Sequence, residues 1–240
     1  MASGINQGYG IFTPMNFYNV PSPVRGILLD IDGTLYDNPA YIEKQAALFV
    51  SAFANHRALE LESAHEQVEA YRREFARNHD GRRPSMGNTF LALGVSMKES
   101  VKWREEALAP ERFLAVDEQL RRALETLTRT CKIVAVTNNP VSTARRTLSA
   151  LGVGELLPRI VGLDSCYSSK PDAAPFREAQ RMLGVPFGNC VAVGDRYEID
   201  IEPALKLGAG GVLVTGVSEV YGLPDLLCAG SAAEAEHGPQ

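Results

Sequence analysis

The first 24 residues, MASGINQGYGIFTPMNFYNVPSPV, contain no charged side chain. They also lack a basic start and a continuous apolar block, so a signal peptide is not expected. Their Gly, Asn and Pro predict an irregular tail over 1–25, and Tyr9, Phe12, Phe17 and Tyr18 are the side chains expected to dock part of it on the body. No apolar run in the chain approaches the length of a membrane span. Cysteine is sparse: Cys131, Cys166, Cys190 and Cys228 stand far apart, with no CxxC and no paired His. That excludes the common zinc patterns and predicts ordinary thiols of a reducing compartment, hence a cytoplasmic protein. Positive charge is not in excess, since 24 Lys and Arg face 29 Asp and Glu for a net charge of −5. No basic field invites nucleic acid. A Walker loop and a GxGxxG are missing too; GAGG (208–211) lacks the third glycine and precedes a strand rather than a helix.

What is present is an alternation of strands and helices. Apolar runs at 132–137, 159–163, 190–195 and 211–216 read as strands, and helices are predicted at 140–151, at 171–183 opened by Pro171, and at 199–207. This predicts an α/β fold, a doubly wound parallel-sheet (Rossmann-like) core. The first strand begins near Gly26 and ends near Asp32, and the next core helix is read at 116–129. Roughly eighty residues separate them, far more than a crossover needs. They are helix-like throughout, which predicts an inserted α-helical cap domain, with Trp103 in its interior. The expected division is a core of 26–36 and 116–228, a cap of 37–115, and tails at 1–25 and 229–240.

The stretch GILLDIDGTLYDN (26–38) carries the first chemistry. It reads as a buried strand that ends in two carboxylates, Asp30 and Asp32, which strand alternation places on one side. Like charges held that close repel unless a cation or proton lies between them. By itself the pair is equally a loop-capping motif. A calcium loop with Gly33 in sixth position would need an acid at Leu28. Asp195, at the end of the strand read at 190–195, and Asp200 bring up to four carboxylates to one sheet edge, where a hard divalent cation such as Mg²⁺ would hold them together. Opposite in character are TNN (137–139), with a hydroxyl, amides and a helix N-terminus suited to an anion, and Lys170 in SSKPD (168–172). Ligands of such sheets bind beyond the carboxyl ends of the strands, where these residues fall. Nucleophilic carboxylate, metal, lysine and polar donors make a phosphoryl-transfer site.

These residues also carry a resemblance. DIDGTLYDN (30–38), VTNN (136–139), SSKPD (168–172) and VGDRYEIDIEPALKLG (193–208) resemble, in order and at strand ends, the four motifs of the haloacid dehalogenase superfamily. The resemblance is to its phosphatase branch with a helical cap after the first motif. It implies that Asp30 attacks phosphorus and becomes an aspartyl phosphate, and that Asp32 protonates the leaving oxygen and then activates water. It also implies Mg²⁺ held by Asp30, the backbone carbonyl of Asp32 and Asp195, with Asp200 in support. Thr137 and Asn138 would bind the phosphoryl group, and Lys170 would orient Asp30. The implied substrate is a small phosphorylated metabolite, a phosphate monoester such as a nucleoside monophosphate, phosphoglycolate or a sugar phosphate, with neither nucleic acid nor membrane as partner.

Alternatives within the resemblance are a sugar phosphomutase, a metal-independent haloacid dehalogenase, which would have no use for Asp32, and a non-catalytic binding protein of the same fold. Arg82 and Arg83, in the turn HDGRRPS, are candidates to meet a second anionic group of the substrate, against the reading of a solvated basic turn. Tyr41 and Lys44 lie where the first cap helix begins. Hinges are expected at 36–39 and 109–115, allowing the cap to close and exclude water.

Overall fold

The computed structural model describes residues 15–228. Its strands β1 (Asn16–Tyr18), β2 (Gly26–Leu29), β3 (Lys132–Val136), β4 (Ile160–Val161), β5 (Cys190–Gly194) and β6 (Gly210–Leu213) form one six-stranded sheet, in the order β1-β6-β5-β2-β3-β4. All neighbours pair in parallel except β1, which runs antiparallel to β6 with Asn16 opposite Leu213 and Tyr18 opposite Gly211. The irregular tail expected over 1–25 is therefore corrected at residues 16–18. Two aromatics suited to a pleated surface add a strand to an otherwise open sheet edge, and Tyr18 packs on Tyr197 with ring centroids 5.2 Å apart. Tyr9, Phe12 and the tail at 229–240 lie outside the described residues.

β2 sits in the middle of the sheet with all four residues buried, because helices cover both faces. Its side chains alternate between two apolar layers. Ile27 and Leu29 meet Leu120, Leu124 and Leu127, while Leu28 meets Phe176, Ala179 and Leu183. Among the crossovers, α5 (Glu118–Thr130) and α6 (Val141–Ala150) belong to the first layer, and α8 (Ala173–Leu183) and α9 (Glu202–Lys206) to the second. Between them the short α7 (Leu163–Cys166) starts directly after β4 with Gly162 as its N-cap, so the strand read at 159–163 is cut to two residues. Pro171 does not open a helix: α8 begins at Ala173, with Asp172 as N-cap. The helix read at 199–207 starts as a π-helical turn, Tyr197–Ile201, before α9.

Between β2 and β3 lie α1 (Pro39–Arg57), α2 (Leu61–Asn78), α3 (Met86–Ala92) and α4 (Met97–Ala107). Each long helix hides one face in a common apolar cluster of Phe49, Phe53, Val68, Phe90 and Trp103, separate from the two layers on the sheet. Side-chain caps start three of the helices: Asn38, Ser85 and Ser96 accept from the backbone N–H of Tyr41, Asn88 and Glu99. Asn38 does a second task. Its Nδ2 donates to the Phe113 carbonyl at 2.9 Å and pins the outgoing connection to the returning one, while Tyr41 stacks on Phe113 with centroids 4.9 Å apart. The helical layer also touches the core through Ser85 and Ser169, whose hydroxyls lie 2.8 Å apart, and through Arg82 and Glu202 at 2.7 Å. No described helix is long and apolar enough to cross a membrane.

Phe53 is fully buried at the centre of the helical cluster. Phe53→Ala should lower stability by about 3–5 kcal/mol in urea denaturation, because the surrounding helices can only partly collapse onto the void. A loss under about 1 kcal/mol would mean that the cluster is loosely packed.

Candidate active site at the carboxyl ends of the parallel strands

Three neighbouring strands, β3, β2 and β5, end side by side and deliver Thr137, Asp30 and Asp195 to one edge. Lys170 reaches the same edge from the loop before α8. It is only 1% exposed, and its ammonium donates to Asp30 Oδ1 at 2.5 Å, Asp200 Oδ1 at 2.6 Å and the Val136 carbonyl at 2.8 Å. All three of its protons are thereby placed. Burial alone would strip the proton from Lys170, but Asp200 and Asp30 outweigh it and hold the lysine pKa above its ordinary value. Asp200 is equally buried; desolvation, then the Asp30 charge, push its pKa up despite Lys170 and Arg196. Asp200 fits under β5 because residue 194 is glycine: a Cβ there would lie 2.5 Å from the Asp200 Cβ.

Asp30, Asp195 and Asp200 each offer a carboxylate oxygen within 4.8 Å of the other two. Asp195 Oδ1 is buried without a hydrogen-bond partner, and burial followed by the Asp30 charge pushes the Asp195 pKa up to about 7. A buried acid oxygen that accepts no hydrogen bond, with Arg196 Nε 3.6 Å away and two further carboxylates beside it, fits a hard divalent cation, and an all-oxygen donor set fits Mg²⁺. The Asp32 carboxylate is not part of this cluster. The turn that follows β2 brings Gly33 against Asp195 at φ +85°, and a Cβ at this position would stand 2.6 Å from Asp195 Oδ2.

Asp30 and Asp32 do not share partners. Strand pairing of β2 ends at Leu29, and the amides of Thr34 and Leu35 fold back onto the Ile31 carbonyl, so strand alternation no longer applies at Asp32. Asp30 faces Lys170 and accepts from Thr34 Oγ1 at 3.2 Å. Asp32 accepts from Tyr36 OH at 2.7 Å, Thr137 Oγ1 at 3.0 Å and Asn139 Nδ2 at 3.0 Å, with Gln45 Nε2 of α1 at 3.4 Å. Burial, then the Asp32 charge, hold the Tyr36 phenol proton well above its ordinary pKa, so Tyr36 stays a donor.

The side chains of Thr137 and Asn138 are therefore otherwise engaged. Thr137 Oγ1 holds Asp32, and Asn138 clamps the Lys170 backbone, accepting from its N–H at 2.7 Å and donating to its carbonyl at 3.2 Å. Asn138 still borders the cleft above the acids, a space of about 220 Å³ that Asp32, Asp195 and Arg196 line from the core and Gln45, Phe49 and Arg104 from the helical layer. Arg82 and Arg83 do not line it. Arg82 is paired with Glu202, Arg83 Nη2 lies 3.6 Å from Glu69, and both border a separate, larger cleft of about 330 Å³. The expectation that they meet the substrate is thus corrected: the turn stands over α9, away from the acids. Tyr41 packs behind the site, and Lys44 is exposed and does not line the cleft. The sequence reading missed Tyr36, Gln45, Asn139 and Arg104. Asn139 carried a signal, in the second asparagine of TNN; the others sit on helices or a turn with nothing local to single them out.

Known proteins match this chain along most of its length. The family model of haloacid dehalogenase-like hydrolases matches residues 24–208. The 5-amino-6-(5-phospho-D-ribitylamino)uracil phosphatase of Escherichia coli (strain K12) is 26% identical over 217 residues, covering 81% of this chain and 84% of that protein. N-acylneuraminate-9-phosphatase of Rattus norvegicus is 28% identical over 141 residues, 52% of this chain and 56% of that protein. Among solved structures, a haloacid dehalogenase-like family hydrolase from Xanthomonas campestris superposes with a TM-score of 0.55 at 16% identity, covering 92% of this chain and 99% of the other. The chain belongs to the haloacid dehalogenase-like hydrolases.

Two outcomes test the site. Lys170→Met leaves Asp30 and Asp200 buried without their shared cation and should cost about 3–5 kcal/mol of stability. Mg²⁺ at about a hundredfold above its Kd should stabilise the wild type by about 2.7 kcal/mol, read as a rise in melting temperature. That rise should be largely lost in Asp195→Asn, and an equal rise in both proteins would remove Asp195 from the metal site.

Proposed function

We propose that this member of the haloacid dehalogenase-like hydrolases is a Mg²⁺-dependent phosphatase that hydrolyses a small phosphate monoester through an aspartyl phosphate on Asp30. The observation that carries the reading is the division of labour between the first two acids. Asp30 is 3% exposed and fixed by Lys170, whereas Asp32 borders the cleft below the helical layer. A nucleophile needs to be aimed, and the hydrogen bond from the Lys170 ammonium to Asp30 Oδ1 supports that role. An acid–base group needs access to the leaving oxygen and to water, and the place of Asp32 on the cleft wall supports that role.

In this mechanism an Asp30 oxygen attacks phosphorus in line with the leaving oxygen, to which Asp32 gives its proton. Asp32 then takes a proton from water, which attacks the aspartyl phosphate and releases inorganic phosphate. Thr137, Asn139 and Tyr36 hold the Asp32 carboxylate at the correct angle. Asn138 positions Lys170 by gripping its backbone on both sides. A Mg²⁺ ion held by Asp30, Asp195 and Asp200 would act as a Lewis acid toward the phosphoryl oxygens. Gln45, Phe49 and Arg104 close the cleft from above and limit the entry of bulk water.

Two relatives whose names identify them as phosphatases support the reaction class. The dehalogenase alternative gives Asp32 no role and leaves the buried Asp195 oxygen unexplained.

The test is hydrolysis of a chromogenic phosphomonoester by wild type, Asp30→Asn and Asp32→Asn, each with Mg²⁺ or EDTA. Turnover is expected only with Mg²⁺. It should vanish in Asp30→Asn and fall about 10²- to 10⁴-fold in Asp32→Asn. Turnover that survives both EDTA and the Asp30 substitution would overturn the proposal.

A further inference from the structure

Arg104, on α4, is 2% exposed. Its guanidinium lies 4.3 Å from the centroid of the Phe49 ring, and Nη1 donates to the Ser100 carbonyl at 3.2 Å and to the Ser100 hydroxyl. Nε is buried and has no partner. No carboxylate among the described residues forms an ion pair with Arg104, although Arg82, Arg146 and Lys170 each have one. Burial lowers the Arg104 pKa to about 10, with the Asp32 charge pulling the other way, so the group is still cationic at neutral pH. A buried cation without a counter-charge is costly to keep, and a packing role would be served as well by an apolar side chain.

Its position gives the reason for keeping it. Arg104 lines the cleft that contains Asp32 and Asn138, and it is the only cation that the helical layer brings there among the described residues. The other cation of the cleft, Arg196, lies on the core side at 3.6 Å from Asp195 and 3.9 Å from Asp200. Apolar Ile42, Phe49 and Met86 make up much of the remaining upper wall.

We infer that Arg104 determines specificity by pairing with a carboxylate on the leaving group, so that the substrate is a short phosphorylated hydroxy acid. The assignment rests on the phosphatase reading for where the phosphoryl group lies. With Nη1 turned onto Ser100, Nε is the buried donor left without a partner, and a planar carboxylate matches that edge of the guanidinium. A cleft of about 220 Å³ favours a compact anion over a second phosphoryl group.

The test uses two non-hydrolysable probes, 3-phosphonopropionate and 3-phosphonopropionamide, which keeps the phosphonate and replaces the carboxylate by a neutral amide, each bound in the presence of Mg²⁺ and measured by calorimetry. Wild type should bind the acid about 10- to 100-fold more tightly than the amide. In Arg104→Met that ratio should fall to near one, and in Arg104→Lys it should lie between. Melting curves identify any variant that fails to fold, and the wild-type ratio decides without a variant. Equal binding of both probes by wild type, binding of neither, or a ratio unchanged in folded Arg104→Met would overturn the inference. The reaction is judged separately by chromogenic phosphomonoester hydrolysis. Its failure beside an Arg104-dependent ratio would sink the phosphatase reading and leave the carboxylate site standing.

Discussion

One buried ammonium ion organises the acidic edge of the sheet. Lys170 stands between Asp30 and Asp200 with its third proton on the Val136 carbonyl, so a single side chain ties together the ends of β2 and β3 and the π-helical turn after β5. Each acid alone would be expensive to bury, and so would the lysine. Together they satisfy one another, and Asn138 fixes the lysine from behind through its backbone. The acids still outnumber the ammonium. Asp195 joins them with an oxygen that accepts no hydrogen bond, and even with Arg196 Nε 3.6 Å from that oxygen the three acids exceed the two cations, a surplus of negative charge that a divalent cation would answer.

The second acid is held differently, and that difference makes the helical layer part of the site. Asp32 draws its donors from its own turn, from the β3 loop and from Gln45 on α1. Asp32, the proposed acid–base group, therefore draws contacts from both layers, whereas Asp30, the proposed nucleophile, is held by core residues. Arg104 lies in the same helical layer, since the upper wall of the cleft is supplied by α1, α3 and α4.

What the sequence could reveal follows from where each residue lies. Asp30, Asp195 and Lys170 were legible because they follow apolar strands in a parallel sheet, where strand ends gather by topology. Asp200 was legible as a fourth acid near them, but its reach to Lys170 depends on a π-helical turn that periodicity does not report. The assumption that Asp30 and Asp32 share a face failed because strand pairing stops at Leu29, one residue before the first acid. The two-arginine turn drew attention through its charge, yet Glu69 and Glu202 occupy both side chains. Arg104 drew none: inward and outward arginines of a charged helix look alike until the packing on Phe49 is known. The helical insertion itself was plain from the length of the gap and the helix-like pattern within it.

The sheet ends in very short strands. Beyond β6 lies β1, three residues long, and beyond β3 lies β4, only two. Neither presents a long flat row of unpaired amides and carbonyls on which a neighbouring chain could lay a strand. A core rich in Val, Ile and Leu strands would otherwise be a template for self-association. Among the described residues, confining the sheet's borders to such brief segments removes the long edge along which one parallel sheet could extend another.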